Sequence, residues 1–175
     1  MNEFFDDGRA AGFGPDDDHF KDECGVFGIY GRQDAGAVVT LGLHALQHRG
    51  QEAAGIVSYD GKQFHVERHV GLIGDNFTKP AVLARLQGNR AIGHTRYSTT
   101  GGAGLRNVQP LFAELADGGF AVAHNGNITN AMTVQRTLQK RGAIFSSTSD
   151  TETILHLVAT SPEKSFISRF IDAVG

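Results

Sequence analysis

The chain has 175 residues, 40% of them hydrophobic and 20% charged, the proportions of one soluble globular domain with a real core. No apolar stretch is long enough to span a bilayer, and the acidic amino terminus lacks the basic-then-apolar pattern of an export signal, so no membrane role and no secretion are expected. The net charge of −3 hides a split: residues 1–23 carry eight acidic and two basic side chains, and the remainder stands at +3 with its basic residues scattered, a pattern that argues against a nucleic-acid patch.

In chain order, residues 1–23 come first, with Gly12-Phe13-Gly14-Pro15 followed by Asp16-Asp17-Asp18. They hold no sustained period and predict a flexible acidic leader ahead of a domain over 24–175. Cys24–Tyr30 reads as a short buried strand. Asp34 is placed to cap a helix to about Gln47, with Val38, Leu41, Ala45 and Val39, Leu43, Leu46 on its apolar side. Ala54–Tyr59 and Phe64–Arg68 read as a hairpin around the Asp60-Gly61 turn. A helix is expected from Asn76 to about Leu86, with Pro80 tolerated in its first turn. Strands follow at Arg90–Thr95 and Phe120–His124. Three helices close the chain: Thr129–Arg141 with Gly142 past its end, Asp150–Ala159, and one starting at Pro162. Hairpins argue for antiparallel pairing, and helices must then cover the sheet faces, so the class is α+β.

Cys24 is the single cysteine, so it forms neither an internal disulfide nor a cysteine-built metal site; one thiol without an export signal points to a reducing cytoplasm. It is either a small buried hydrophobe or a nucleophile. Removal of residues 1–23 would give one residue a thiol and a free amine, a complete nucleophile-plus-base pair. Four further segments carry polar chemistry: His48-Arg49-Gly50-Gln51-Glu52, Gly93-His94-Thr95-Arg96-Tyr97-Ser98-Thr99, His124-Asn125-Gly126-Asn127, and Ser149-Asp150-Thr151-Glu152. Alone, each is ordinary. Arg96 reads as a surface ion-pair partner, Asn125-Gly126 as a hairpin turn, and Ser149-Asp150-Thr151-Glu152 as an acidic helix start. His44 and His48 have helical i, i+4 spacing, but no matching ligand set accompanies them and no metal is expected. Gly101–Gly104 lacks the Lys-Ser/Thr of a phosphate loop.

Together with Cys24-Gly25-Val26-Phe27-Gly28-Ile29 and Gln109-Pro110-Leu111-Phe112, these ordered motifs resemble the glutamine-hydrolysing domain of the class II amidotransferases, which are N-terminal-nucleophile enzymes. Gln51-Glu52 and Tyr97-Ser98-Thr99-Thr100 resemble the branch that passes ammonia to phosphoribosyl pyrophosphate in purine synthesis. The sister branch making glucosamine 6-phosphate, another amidotransferase, and a non-catalytic binding module are the rival assignments.

The resemblance implies a four-layer αββα sandwich of two antiparallel sheets, truncated at its carboxyl end. It implies that Cys24 attacks the side-chain amide of glutamine with its own α-amine as base. A thiol and an α-amine titrate within about one unit of each other, so the proton moves easily between them. A peptide nitrogen cannot serve, because its lone pair is delocalised. Asn125 and Gly126 would form the oxyanion hole, Arg96 would take the α-carboxylate and Asp150 the α-ammonium. Thr99 and Gly50 resemble substrate-lining positions, Arg49 resembles an arginine near the nucleophile, and residues 98–107 resemble a loop that closes over the substrate. No cofactor is implied for this chain. Magnesium and an iron–sulfur cluster would belong to a missing phosphoribosyl transferase domain, and the full-length protein is expected to be a homo-oligomer.

Overall fold

The computed structural model describes residues 24–97 and 104–175. The expected leader and Thr99 therefore lie outside the described residues. Among the described residues, six strands form two antiparallel sheets. The larger contains β1 (Gly25–Tyr30), β2 (Ala53–Tyr59), β3 (Phe64–Val70) and β4 (Arg90–Arg96) in the order β1-β4-β2-β3. The smaller pairs β5 (Leu111–Leu115) with β6 (Gly118–Val122).

Helix α1 (Ala35–Ala45) covers one face of the larger sheet. Its Ala35, Val39 and Leu43 are fully buried against Ala54, Ile56 and Ala91, with Phe27 and Ile29 packed beside them. The opposite face meets the smaller sheet. There the Phe64 and Phe112 rings lie 5.0 Å apart, and Gly55 on β2 lies directly under the Gln109 carbonyl. Beyond the smaller sheet lies α5 (Thr151–Thr160), whose Ile154, Leu155 and Val158 pack on Leu111, Phe120 and Val122. The layers are thus helix, sheet, sheet, helix, as the resemblance implies. Strand β2 is buried along six of its seven residues because it lies between α1 and the second sheet, so it reads as a continuous apolar run rather than an alternation. Helices α4 (Ala131–Lys140) and α6 (Phe166–Val174) flank α5, and α6 brings the rings of Phe166 and Phe170 to 5.0 and 6.3 Å from that of Phe120.

The hairpin of β2 and β3 forms as expected. Asp60 accepts the Lys62 and Gln63 backbone N–H groups at 2.8 and 2.9 Å and the His65 ring at 2.9 Å, contacts that hold its carboxyl down to about 2. Elsewhere the structure corrects the sequence reading. The helix expected over 76–86 is two single turns, α2 (Ile73–Asn76) and α3 (Pro80–Leu83). Lys79 is extended because the residue before a proline is pushed out of helical space, and Pro80 then opens a new turn where its missing N–H costs nothing. Strand β5 carries no alternating signal of its own and forms by pairing with β6 across the Ala116-Asp117 turn. The chain leaves β6 at Val122, two residues earlier than expected, because the His124 N–H turns to the Gln109 side chain.

Candidate active site

The two sheets splay apart at one end, where β1 begins and β4 and β6 finish. Alternation sorts the side chains there. Gly93 faces α1, packed against Leu43 and Val39, so His94 and Arg96 point to the other face, toward the second sheet. The β1–β4 register sets Val26 opposite His94 and brings Cys24 beside Arg96. Cys24, His94, Arg96, Asn107, Gln109, His124, Asn125, Gly126, Thr148, Ser149 and Asp150 line a single cleft of about 430 Å³, within the size range of small-ligand sites. A larger cavity of about 570 Å³ opens between the sheets around Tyr59, Phe64 and Phe120, but it is lined mainly by apolar groups and holds no convergent catalytic chemistry.

Cys24 is half-buried, and its thiol reaches the Tyr97 carbonyl at 3.8 Å. The Arg49 guanidinium donates through Nε to the Cys24 carbonyl at 3.3 Å, so it holds the backbone of Cys24. Arg49 does not line the cleft, and neither does Gly50. Gly50 is buried against the Thr95–Arg96 backbone at the strand end, where a side chain would strike main-chain atoms 2.8 Å away. The Arg96 Nε lies 3.8 Å from Glu52, a loose ion pair, and its Nη1 is buried with no hydrogen-bond partner among the described residues. A planar cation so placed is ready for a carboxylate.

Across the cleft, the turn after β6 is pinned from three sides. The His124 N–H donates to Gln109 Oε1 at 2.7 Å, and the Ile128 N–H to Asp150 Oδ2 at 2.8 Å. At Gly126 a side chain would come within 2.7 Å of the His124 ring, so glycine is required by close approach. The segment carrying Asp150 has its own supports. Asn107 and Thr148 exchange two hydrogen bonds of 2.8 and 2.9 Å. The Glu152 carboxylate accepts the backbone and hydroxyl donors of both Ser146 and Ser147 at 2.6–3.0 Å. Burial pushes the Glu152 carboxyl up, and the four donors together bring it below the ordinary glutamate value.

The structure thus brings five sequence-predicted residues to one cleft: Cys24, Arg96, Asn125, Gly126 and Asp150. It sets Arg49 and Gly50 behind it as supports, and Thr99 is not described. Sequence reasoning missed His94, His124, Gln109 and Glu152. All four belong to segments noticed for other residues; Gln109 and His124 meet across 15 residues, and Glu152 reaches back to Ser146 and Ser147 in the preceding loop. His44 and His48 do not share a helical face, because α1 stops at Ala45 and a 3₁₀ turn (Gln47–Arg49) follows.

Comparison with known proteins agrees with this geometry. A glutamine amidotransferase domain model matches residues 94–171. The chain is 64% identical over 159 residues to an amidophosphoribosyltransferase of Rhizobium etli, covering 91% of this chain and 32% of that protein. It is 51% identical over 140 residues to an amidophosphoribosyltransferase of Lacticaseibacillus casei, of which it spans 71%. The solved glutamine phosphoribosylpyrophosphate amidotransferase of B. subtilis, in complex with ADP and GMP, superimposes with a TM-score of 0.79 at 41% identity over 85% of this chain and 32% of that one. The chain therefore spans about a third of the length of the Rhizobium relative and of the solved structure. With that identity and the shared two-sheet fold, this chain belongs to the amidophosphoribosyltransferase family and carries its glutamine amidotransferase domain.

Proposed function

We propose that this domain hydrolyses glutamine to glutamate and ammonia, and that the ammonia is delivered to phosphoribosyl pyrophosphate to give 5-phosphoribosylamine at the start of purine synthesis. The observation that carries the reading is the convergence on one cleft of a thiol, a guanidinium whose buried Nη1 has no partner among the described residues, an Asn-Gly turn and a carboxylate. Those four groups match the four features of bound glutamine under attack: amide carbon, α-carboxylate, developing oxyanion and α-ammonium.

In this reading residues 1–23 are a leader whose removal makes Cys24 the first residue. Its α-amine then takes the thiol proton as Sγ attacks the amide carbon. The oxyanion receives the Asn125 side-chain N–H and the Gly126 backbone N–H. Arg96 and Asp150 hold the two charged ends of the amino acid, which selects glutamine over simple amides. On collapse of the intermediate the α-ammonium of Cys24 gives its proton to the leaving nitrogen, which departs as ammonia, and a γ-glutamyl thioester remains on Cys24 for water to cleave. The transferase step, with its magnesium and iron–sulfur cluster, belongs to a second domain outside these 175 residues. The full protein works in the cytoplasm as a homo-oligomer.

The test is glutamate release by the full-length protein with Cys24 at its amino terminus. Turnover is expected in that form, and none in Cys24→Ala or in protein whose Glu23–Cys24 bond is intact by mass spectrometry. Glutaminase turnover in either of the last two would refute the nucleophile assignment.

A further inference from the structure

Two imidazoles in the cleft have no role in the chemistry described so far. His94 is 1% exposed; the His124 carbonyl faces its ring, but among the described residues no group closes a well-formed hydrogen bond with either ring nitrogen, and His124 Nδ1 is likewise buried with no partner there. Both rings line the same cavity as Cys24, and His94 stands on the same sheet face, one alternation along β4 from Arg96. Buried polar atoms without partners are rare in native proteins, and three in one small cleft call for an occupant that satisfies them. A neutral imidazole offers one donor and one acceptor, so the occupant must do both and must be small. The substrate's charged ends are matched by Arg96 and Asp150 instead.

We propose that His94 and His124 hold the water that cleaves the γ-glutamyl thioester on Cys24. This rests on the glutaminase reading above. The water oxygen bonds to the thioester carbonyl carbon, its proton passes to the Cys24 α-amine, and collapse of the tetrahedral adduct breaks the C–S bond. The proton then moves from the amine to Sγ, which leaves glutamate and the starting thiol. The imidazoles exchange hydrogen bonds and carry no net charge through the step. Burial, and next to it the Arg96 charge, lower the His94 value to about 4, and the His124 carbonyl facing the ring offsets only part of this. At neutral pH such a ring positions water and is too weak a base to take its proton.

Hydroxylamine separates this role from a structural one, because it attacks the thioester without needing a held water. The full-length processed protein, its His94→Phe variant and its His94→Gln variant, which keeps a donor and an acceptor, are given glutamine with and without hydroxylamine. Thioester on Cys24 is followed by rapid-quench mass spectrometry. In His94→Phe the ratio of hydroxamate to glutamate is expected to rise on the order of tenfold to a hundredfold, the scale of losing a positioned reactant. Thioester should accumulate at the same time, and His94→Gln should restore most of the hydrolysis. Hydroxamate formation itself certifies that the variant is folded. A ratio equal to wild type in both variants, with thioester formed, overturns the water site alone. If His94→Phe does not fold, His124→Phe takes its place: a raised ratio of hydroxamate to glutamate with thioester accumulating supports the assignment, and a wild-type ratio overturns it. A wild-type protein that never forms thioester overturns the glutaminase reading and the water site with it.

Discussion

Arg96 illustrates how a side chain is prepared for a ligand. Its partner Glu52 is near enough to orient it, at 3.8 Å, and too far to satisfy it, so Nη1 stays buried and unpaired. A lysine at this position keeps the charge and loses the planar fork. Arg96→Lys should therefore raise the KM for glutamine by about 10- to 100-fold with a smaller effect on kcat, in steady-state glutaminase assays. Asn125→Ala should act on the other parameter, lowering kcat by about 10²–10³-fold, the usual cost of one oxyanion donor. His94 adds a pH signature to stability. Its folded value, about 4, lies below the unfolded 6.5, so the unfolded chain binds the proton first as pH falls. The contribution is complete above about 6.5 and is lost between about 6.5 and 4. Urea melts across that window should show stability falling with pH, and the slope should flatten in His94→Gln.

Elements hold these residues through polar contacts that cross the chain. The Asp150 segment is fastened by Glu152, the second residue of α5, through four donors of Ser146 and Ser147. A lone Ser-Asp-Thr-Glu sequence looks like a helix start, and it is one; the reverse reach of Glu152 to the preceding loop becomes visible only when that loop is folded back over it. Glu152→Ala leaves buried donors unmatched and should cost about 3 kcal/mol in chemical denaturation, together with a raised KM as Asp150 loses its support. Since the Glu152 carboxyl sits below its ordinary value, its contribution is present above pH about 4.5 and disappears as the pH falls through the folded value, a window below that of His94. The single turns α2 and α3 make the same point for local rules. Pro80 was recognised as tolerable near a helix start, and the restriction it places on Lys79 decided that the helix begins at Pro80 itself.

At the scale of the molecule, the close contact of the two sheets at Gly55 bears on the cleft through Gln109, which lines it. Gly55 lies under the Gln109 carbonyl, and the Gln109 side chain holds the His124 N–H at 2.7 Å. A methyl group at residue 55 must push Gln109 away, and the Asn125–Gly126 turn with it. Gly55→Ala should thus lose about 1–3 kcal/mol of stability, as overpacking does, and lower kcat more than it raises KM, measured by thermal melting and glutaminase kinetics on the same preparation.

The sequence by itself determined the α+β class, the β2–β3 hairpin, α1, α4 and α5 to within a few residues, and five of the groups that line the cleft. These depend on short-range physics: turn chemistry, periodicity, and residue types matched to a reaction. Tertiary structure alone decided that β4 inserts between β1 and β2, that β5 is a strand at all, and that Arg49 and Gly50 stand behind the cleft as supports. It alone also placed His94 and His124 together, unpaired, beside the thiol. Pairing, burial and close approach are relations between residues tens of positions apart, and no local pattern encodes them until the chain has folded.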